Sequence, residues 1–421
     1  MNCESRILPL QRQYEICDAV RLERLNTVLP AAMEKAGIDM WLILSGEYNE
    51  DPIFYTLVPQ IIPNASRMTC IAFAREADGT LGRYSINKPN RELNRFFTQL
   101  PYSNDGQWDE IAAFVREKAP RRIGVNISDC CAIGAGLSKA LYDELCAHLG
   151  EYADRLVSAD ALSVLWLEQR TDAEMAMYPA VYDVTTEVMS RAFSREVLTP
   201  GVTTTDELEW WCAQRFAEKG LPLCFRPTIN FQREGCGNTM MTGVVRCGDL
   251  LHYDAGIQYL GLCTDLQRLA YVCRPGEADA PQGIRRGFEQ GHTFARLAAQ
   301  EFIAGRTGNE IFHAAKAAAQ KAGIEAMLYT HPIGLHCHAA GPTIGLYDKQ
   351  ESIPLRGERV LHPHTAYALE FNVTEAVPEW GGQKVVFYLE ETVLFCENGK
   401  VRYLDDQWNR LILIGAPDRK V

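Results

Sequence analysis

The sequence has no run approaching the roughly twenty apolar residues needed to cross a bilayer; the apolar stretches are short, as at Met40 to Leu44. It is also poor in positive charge, with 42 Lys and Arg against 54 Asp and Glu for a net charge of −12. That balance and the lack of a long basic run exclude a nucleic-acid backbone and an anionic membrane surface as expected partners. The opening residues, MNCESRILPLQRQYEICD, lack a continuous apolar segment and a small-residue cleavage pattern, so no secretory leader is expected. The 14 cysteines are dispersed and contain no CxxC pair. A chain this large needs no disulfide framework, and reduced thiols in the cytoplasm are the expectation.

What is present is an ordinary globular composition, 47% hydrophobic and 23% charged over 421 residues. At roughly 150 residues per domain, two or three domains are expected. A helix from about residue 22 runs into the buried strand IDMWLIL, with further strands at Met68 to Phe73 and Arg122 to Val125, an alternation that suggests an α/β domain. The pattern changes between residues 160 and 170, and we set the domains at 1–165 and 166–421. In the second, three Thr-x-x-Glu boxes starting at Thr171, Thr204 and Thr307 open helices, with Pro179 at a restart or kink. Strand-like segments at 250–272, 365–373 and 385–395 make this domain α+β.

Those strands carry acids in apolar company: Asp254, Asp265, Glu370 and Glu390. A carboxylate inside a strand is costly unless a cation or hydrogen bonds compensate it. The segment THPIGLHCHAAGP adds His331, His336 and His338, three of the nine histidines. Carboxylate oxygens with some imidazole form a donor set for hard or borderline divalent metals, so one metal site accounts for both features.

The order Asp, ten residues, Asp, then His, Glu, Glu resembles the pita-bread metallopeptidases, the family of methionine aminopeptidase, aminopeptidase P and prolidase. GDLLHYDAGIQYLGLCTDLQR is similar to the family's first metal hairpin, Arg268 included, and HPIGLHCH to its HxxGxxxH segment. The resemblance implies a pita-bread catalytic domain with two divalent metals, Mn²⁺ first and Co²⁺ or Zn²⁺ as alternatives. It implies Asp254 on one metal, Asp265 and Glu390 bridging, and His331 and Glu370 on the other. Glu370 also serves as proton carrier, and His338 takes the place of the catalytic histidine. The amino-terminal domain resembles that of the aminopeptidase P, prolidase and creatinase branch. This implies cleavage of Xaa-Pro bonds in small peptides by a homodimer.

The chain departs from the family pattern in places. Where the family carries a histidine in NxxxxHY, this chain has Asn238 and then Gly243, and Tyr388 replaces a common arginine. His252, on the same strand face as Asp254, is a candidate pocket residue in compensation. His336, Trp380 and Tyr388 are further pocket candidates. Cys337 reads as packing, and Glu391, pointing away from Glu390, as a salt-bridge partner. A small-molecule hydrolase or lyase, and a non-catalytic peptide-binding module, remain alternatives on the same fold.

Overall fold

The computed structural model describes residues 7–405 and 410–415. Leu8–Thr171 forms one compact unit and Asp172 onward the other. The first contains α1 (Leu10–Ala36), β1 (Met40–Gly46), α2 (Phe54–Leu57), β2 (Met68–Arg75), β3 (Leu81–Ile86), β4 (Thr98–Gln99), α3 (Gln107–Lys118), β5 (Ile123–Val125), α4 (Lys139–Leu149), β6 (Leu156–Ser158) and α5 (Asp160–Glu168). Its strands form a mixed sheet in the order β4-β3-β2-β1-β5-β6. The continuous apolar run of β1 fits its central place, antiparallel to β2 and parallel to β5, with six of its seven residues buried. Helix α1 begins at Leu10, well before residue 22, because its first turns bury little and so carry no clear apolar periodicity.

The second unit contains α6 (Asp172–Ala192), α7 (Thr205–Glu218), β7 (Thr228–Gln232), β8 (Leu250–Ala255), β9 (Gln258–Tyr259), β10 (Leu262–Cys263), β11 (Leu266–Val272), α8 (Gln282–Gln300), α9 (Gly308–Lys321), β12 (Glu325–Leu328), β13 (His331–Ile333), β14 (Thr365–Val377), β15 (Gln383–Phe395), β16 (Val401–Tyr403) and β17 (Ile412–Ile414). Its main sheet runs β12-β14-β15-β11-β8-β7, with β13 on β14, β16 on β15 and β17 on β11. The expected capping boxes form at Thr204 with Glu207 and at Thr307 with Glu310, each worth about 1 kcal/mol of helix stability. Pro179 lies within α6 and does not end it, since Met175, Tyr178, Val181 and Tyr182 are buried on both sides of it.

Two layers of helix clothe this sheet and settle which strand face is left for chemistry. Helices α6 and α7 share a core with Leu251, Tyr253 and Ala255 of β8. Helices α8 and α9 share another with Leu369, Phe371 and Val373 of β14 and Phe387 and Leu389 of β15. The α8 glycines Gly287 and Gly291 allow this approach, because a Cβ on either would overlap Phe387 or Leu389. Side chains alternate along a strand, so His252 and Asp254, Glu370 and Asn372, and Tyr388 and Glu390 project from the opposite face.

A candidate metal centre

Strand register sets the acids in a row. Gln267 pairs with Asp254 on β8 and with Glu390 on β15, and Glu390 pairs with Glu370 on β14. His331 pairs with Ala368 on the far side of β14. Asp265 is pinned by its backbone: its N–H donates to Thr392 Oγ1 at 3.0 Å, and that hydroxyl donates back to its carbonyl at 2.9 Å. One ligand atom from each member lies within 4.8 Å of the others in three groups: Asp254, Asp265 and Glu390; His331, Glu370 and Glu390; Asp265, His331 and His338.

The electrostatics call for a cation. Burial, followed by the charges of Asp265 and Glu370, pushes the Asp254 carboxyl well above its usual range, and Glu390 is driven up in the same way. Burial also lifts Asp265 to about 7 and Glu370 to about 8. His331 Nδ1 lies 3.0 Å from the Pro332 carbonyl and donates to it, which leaves the Nε2 lone pair facing Asp265 Oδ2 and Glu390 Oε1, each at 3.7 Å. Burial holds that imidazole near 4 and hence neutral. Nε2 of His331 and Oδ1 of Asp254 and of Asp265 have no hydrogen-bond partner although buried. Buried acceptor atoms without a hydrogen-bond partner, set among further carboxylates, are what a cation satisfies, so the residues present fit a bound divalent metal.

The remaining pocket candidates divide. Tyr388 stands on the inner face, its ring 5.5 Å from His252 and its hydroxyl 3.4 Å from that of Tyr347. His252 is 7% exposed and is held by Asn230 and Gln267, so it supports the site and does not line an opening. His338 is exposed with its ring edge-on to His331 at 4.7 Å, whereas His336 lies outside the three groups. Trp380 does not rim the site. At about 3.3 Å per residue, the end of β14 is some 23 Å beyond Glu370, and the indole is buried in the core with Ile284 and Val377. An aromatic at a hairpin tip serves either role, and here the close approach of α8 claims it.

Two further partners were not apparent from sequence. Cys337, read there as packing, brings its thiol to 3.2 Å from Asp265 Oδ2. Gln267 donates through Nε2 to Glu370 Oε1 at 2.7 Å. The only sequence signal for Gln267 is its place two residues after Asp265. Glu391 does turn away from the row as expected: Arg268 meets it at 2.6 Å and the Tyr182 hydroxyl donates to it at 3.0 Å.

A cluster of carboxylates and imidazoles on an α+β scaffold fits a metal-binding protein. The sequence matches the metallopeptidase family M24 over residues 177–397, more than half of the chain, and the chain belongs to that family. The fold is accordingly the pita-bread fold. Among solved structures, the X-Pro aminopeptidase from Thermotoga maritima MSB8 is similar with a TM-score of 0.67 at 15% identity, covering 91% of this chain and 99% of its own. The Xaa-Pro dipeptidase from Bacillus anthracis gives 0.62 at 18% identity, covering 93% and 99%. The prolidase from Pyrococcus furiosus gives 0.58 at 15%, covering 89% and 98%. At such identities these likenesses establish the fold, including the amino-terminal unit. No curated protein matches the sequence.

Proposed function

We propose that the protein is a two-metal peptidase that hydrolyses the Xaa-Pro bond at the amino terminus of small peptides or in dipeptides. The observation that carries the metal count is the overlap of the donor groups: Glu390, Asp265 and His331 each belong to two of the three. A carboxylate shared between neighbouring groups is suited to bridging. Asp265 and Glu390 would bridge, Asp254 would complete one position, and His331 and Glu370 the other. Bound there, two divalent ions lower the pKa of a water and polarise the scissile carbonyl.

The chain's own residues do the rest. Glu370, in the donor group with His331 and Glu390, would accept a proton from the attacking water and deliver it to the leaving nitrogen. His338, exposed and beside His331, would donate to the carbonyl oxygen as charge develops on it. Mn²⁺ is the proposed metal, with Co²⁺ and Zn²⁺ compatible with the same donors. We extend the proposal to a homodimer acting in the cytoplasm. The location rests on the 14 dispersed cysteines without a CxxC pair, in a chain large enough to need no disulfide framework.

One observation favours a second reading, small-molecule chemistry on the same centre. At the position of the family's missing histidine, Gly243 takes φ 120°, a value L side chains rarely adopt, so this loop has departed from that use. A chelator test separates the readings. Under the peptidase reading, chelation abolishes release of the first amino acid from an Ala-Pro-Phe peptide and Mn²⁺ restores it, while Ala-Ala-Phe stays intact. Metal-replete protein that leaves both peptides whole would move the assignment to the second reading.

A further inference from the structure

The row of acids is tied to β7 by a chain of neutral groups. Asn230 Oδ1 lies 3.1 Å from His252 Nδ1, His252 Nε2 lies 3.1 Å from Gln267 Oε1, and Gln267 Nε2 donates to Glu370 Oε1 at 2.7 Å. Each link follows from register. Asn230 pairs with His252 across β7 and β8, and Gln267 pairs with Asp254, two residues from His252. Donor bookkeeping fixes the direction. The carboxylate of Glu370 accepts, so the Gln267 amide presents its NH₂ there and turns its carbonyl toward His252. That carbonyl accepts from His252 Nε2, the N–H that faces it; Nδ1 of the neutral ring is then an acceptor, so the Asn230 amide, whose two ends have the same shape, turns its NH₂ toward it. His252 and Gln267 are 7% and 4% exposed, so water does not substitute for either partner.

We propose that Gln267, locked by His252, is the positioning residue for Glu370. By holding one carboxylate oxygen, it leaves the other free for metal and proton transfer. The inference rests on the peptidase reading for Glu370's role but not for the orientation itself. Leu at 267 keeps the volume and removes the donor; Phe at 252 keeps the ring and removes the N–H; Gln at 252 can restore an N–H.

The test is a double-mutant cycle on the Mn²⁺-loaded protein, read both as kcat and KM on Ala-Pro-Phe and as Mn²⁺ affinity by calorimetry. Gln267→Leu is expected to lower kcat or metal affinity about 10- to 100-fold, the range for groups that orient metal ligands, with KM within about twofold. His252→Phe should give a similar loss, His252→Gln should recover most of it, and the double variant Gln267→Leu/His252→Phe should lose no more than the worse single. Additive losses, a rise in KM alone, or an unaffected Gln267→Leu would overturn the proposal. If wild type binds Mn²⁺ but cleaves no peptide, the peptidase reading fails while the same non-additive pattern in metal affinity still supports the positioning role. Additive affinity losses would overturn that role independently.

Discussion

Glu370 and Glu390 stand directly opposite each other on β14 and β15, a registered pair of like charges with Gln267 opposite Glu390 on its other side. Opposed carboxylates destabilise a sheet. Their burial alongside Asp254 and Asp265 raises all four carboxyls above their usual range. The sheet therefore holds in place an electrostatic arrangement that a bound cation, or bound protons at lower pH, relieves.

That relief has a pH signature. In the folded, metal-free protein Asp265 and Glu370 titrate near 7 and 8, whereas unfolded carboxyls titrate near about 4. The folded state thus binds more protons over that interval, and stability falls as pH rises through it. His252 and His331, depressed to about 4, act in the opposite sense, but only as pH drops below their unfolded value. The melting temperature of chelator-treated protein should therefore decrease between about pH 6.5 and pH 8.5, and Mn²⁺ should raise it most at the upper end. A melting temperature that climbs across this window would contradict the carboxyl assignments.

Asp265→Asn keeps the side-chain volume and the Thr392 backbone anchor but removes the charge. Elemental analysis should then find fewer than two equivalents of metal. Full stoichiometry would remove Asp265 from the bridging position.

His338 is proposed to meet charge that forms only in the transition state. His338→Ala should lower kcat by about 10²- to 10³-fold with little change in KM, as measured by initial rates on an Xaa-Pro peptide. A change confined to KM would make it a ground-state contact.

Packing beneath the site is testable apart from chemistry. A Cβ at Gly287 overlaps the Phe387 ring, so Gly287→Ala should lose about 1–3 kcal/mol to overpacking despite alanine's better helix propensity. Denaturant melts would show it, and a stabilised variant would contradict the close approach of α8.

The candidate metal donors were legible because acids in apolar strands are conspicuous, and because their spacing carried a resemblance to the family that the M24 match shows. Parity along a strand likewise foretold that Glu391 turns away from Glu390, where Arg268 meets it. Gln267 was not legible: a neutral amide in a strand looks the same whether it faces solvent or a carboxylate, and only cross-strand register shows which. Nor was Trp380, whose surroundings depend on how closely α8 approaches the hairpin. The strand-like stretch 250–272, read as a hairpin, resolves into β8, the β9–β10 hairpin and β11, a division the sequence reading did not specify.

The central claim is tested most directly by one hydrolysis panel: Xaa-Pro dipeptides, Xaa-Pro-Yaa tripeptides and a Met-Ala peptide, each given to Mn²⁺-loaded protein with Glu370→Ala as control. The account predicts cleavage of proline-containing members only, lost by at least about 10²-fold in the control, the usual contribution of a positioned acid–base group. Cleavage of none by protein carrying two metals, or equal cleavage by the Glu370→Ala variant, would contradict it.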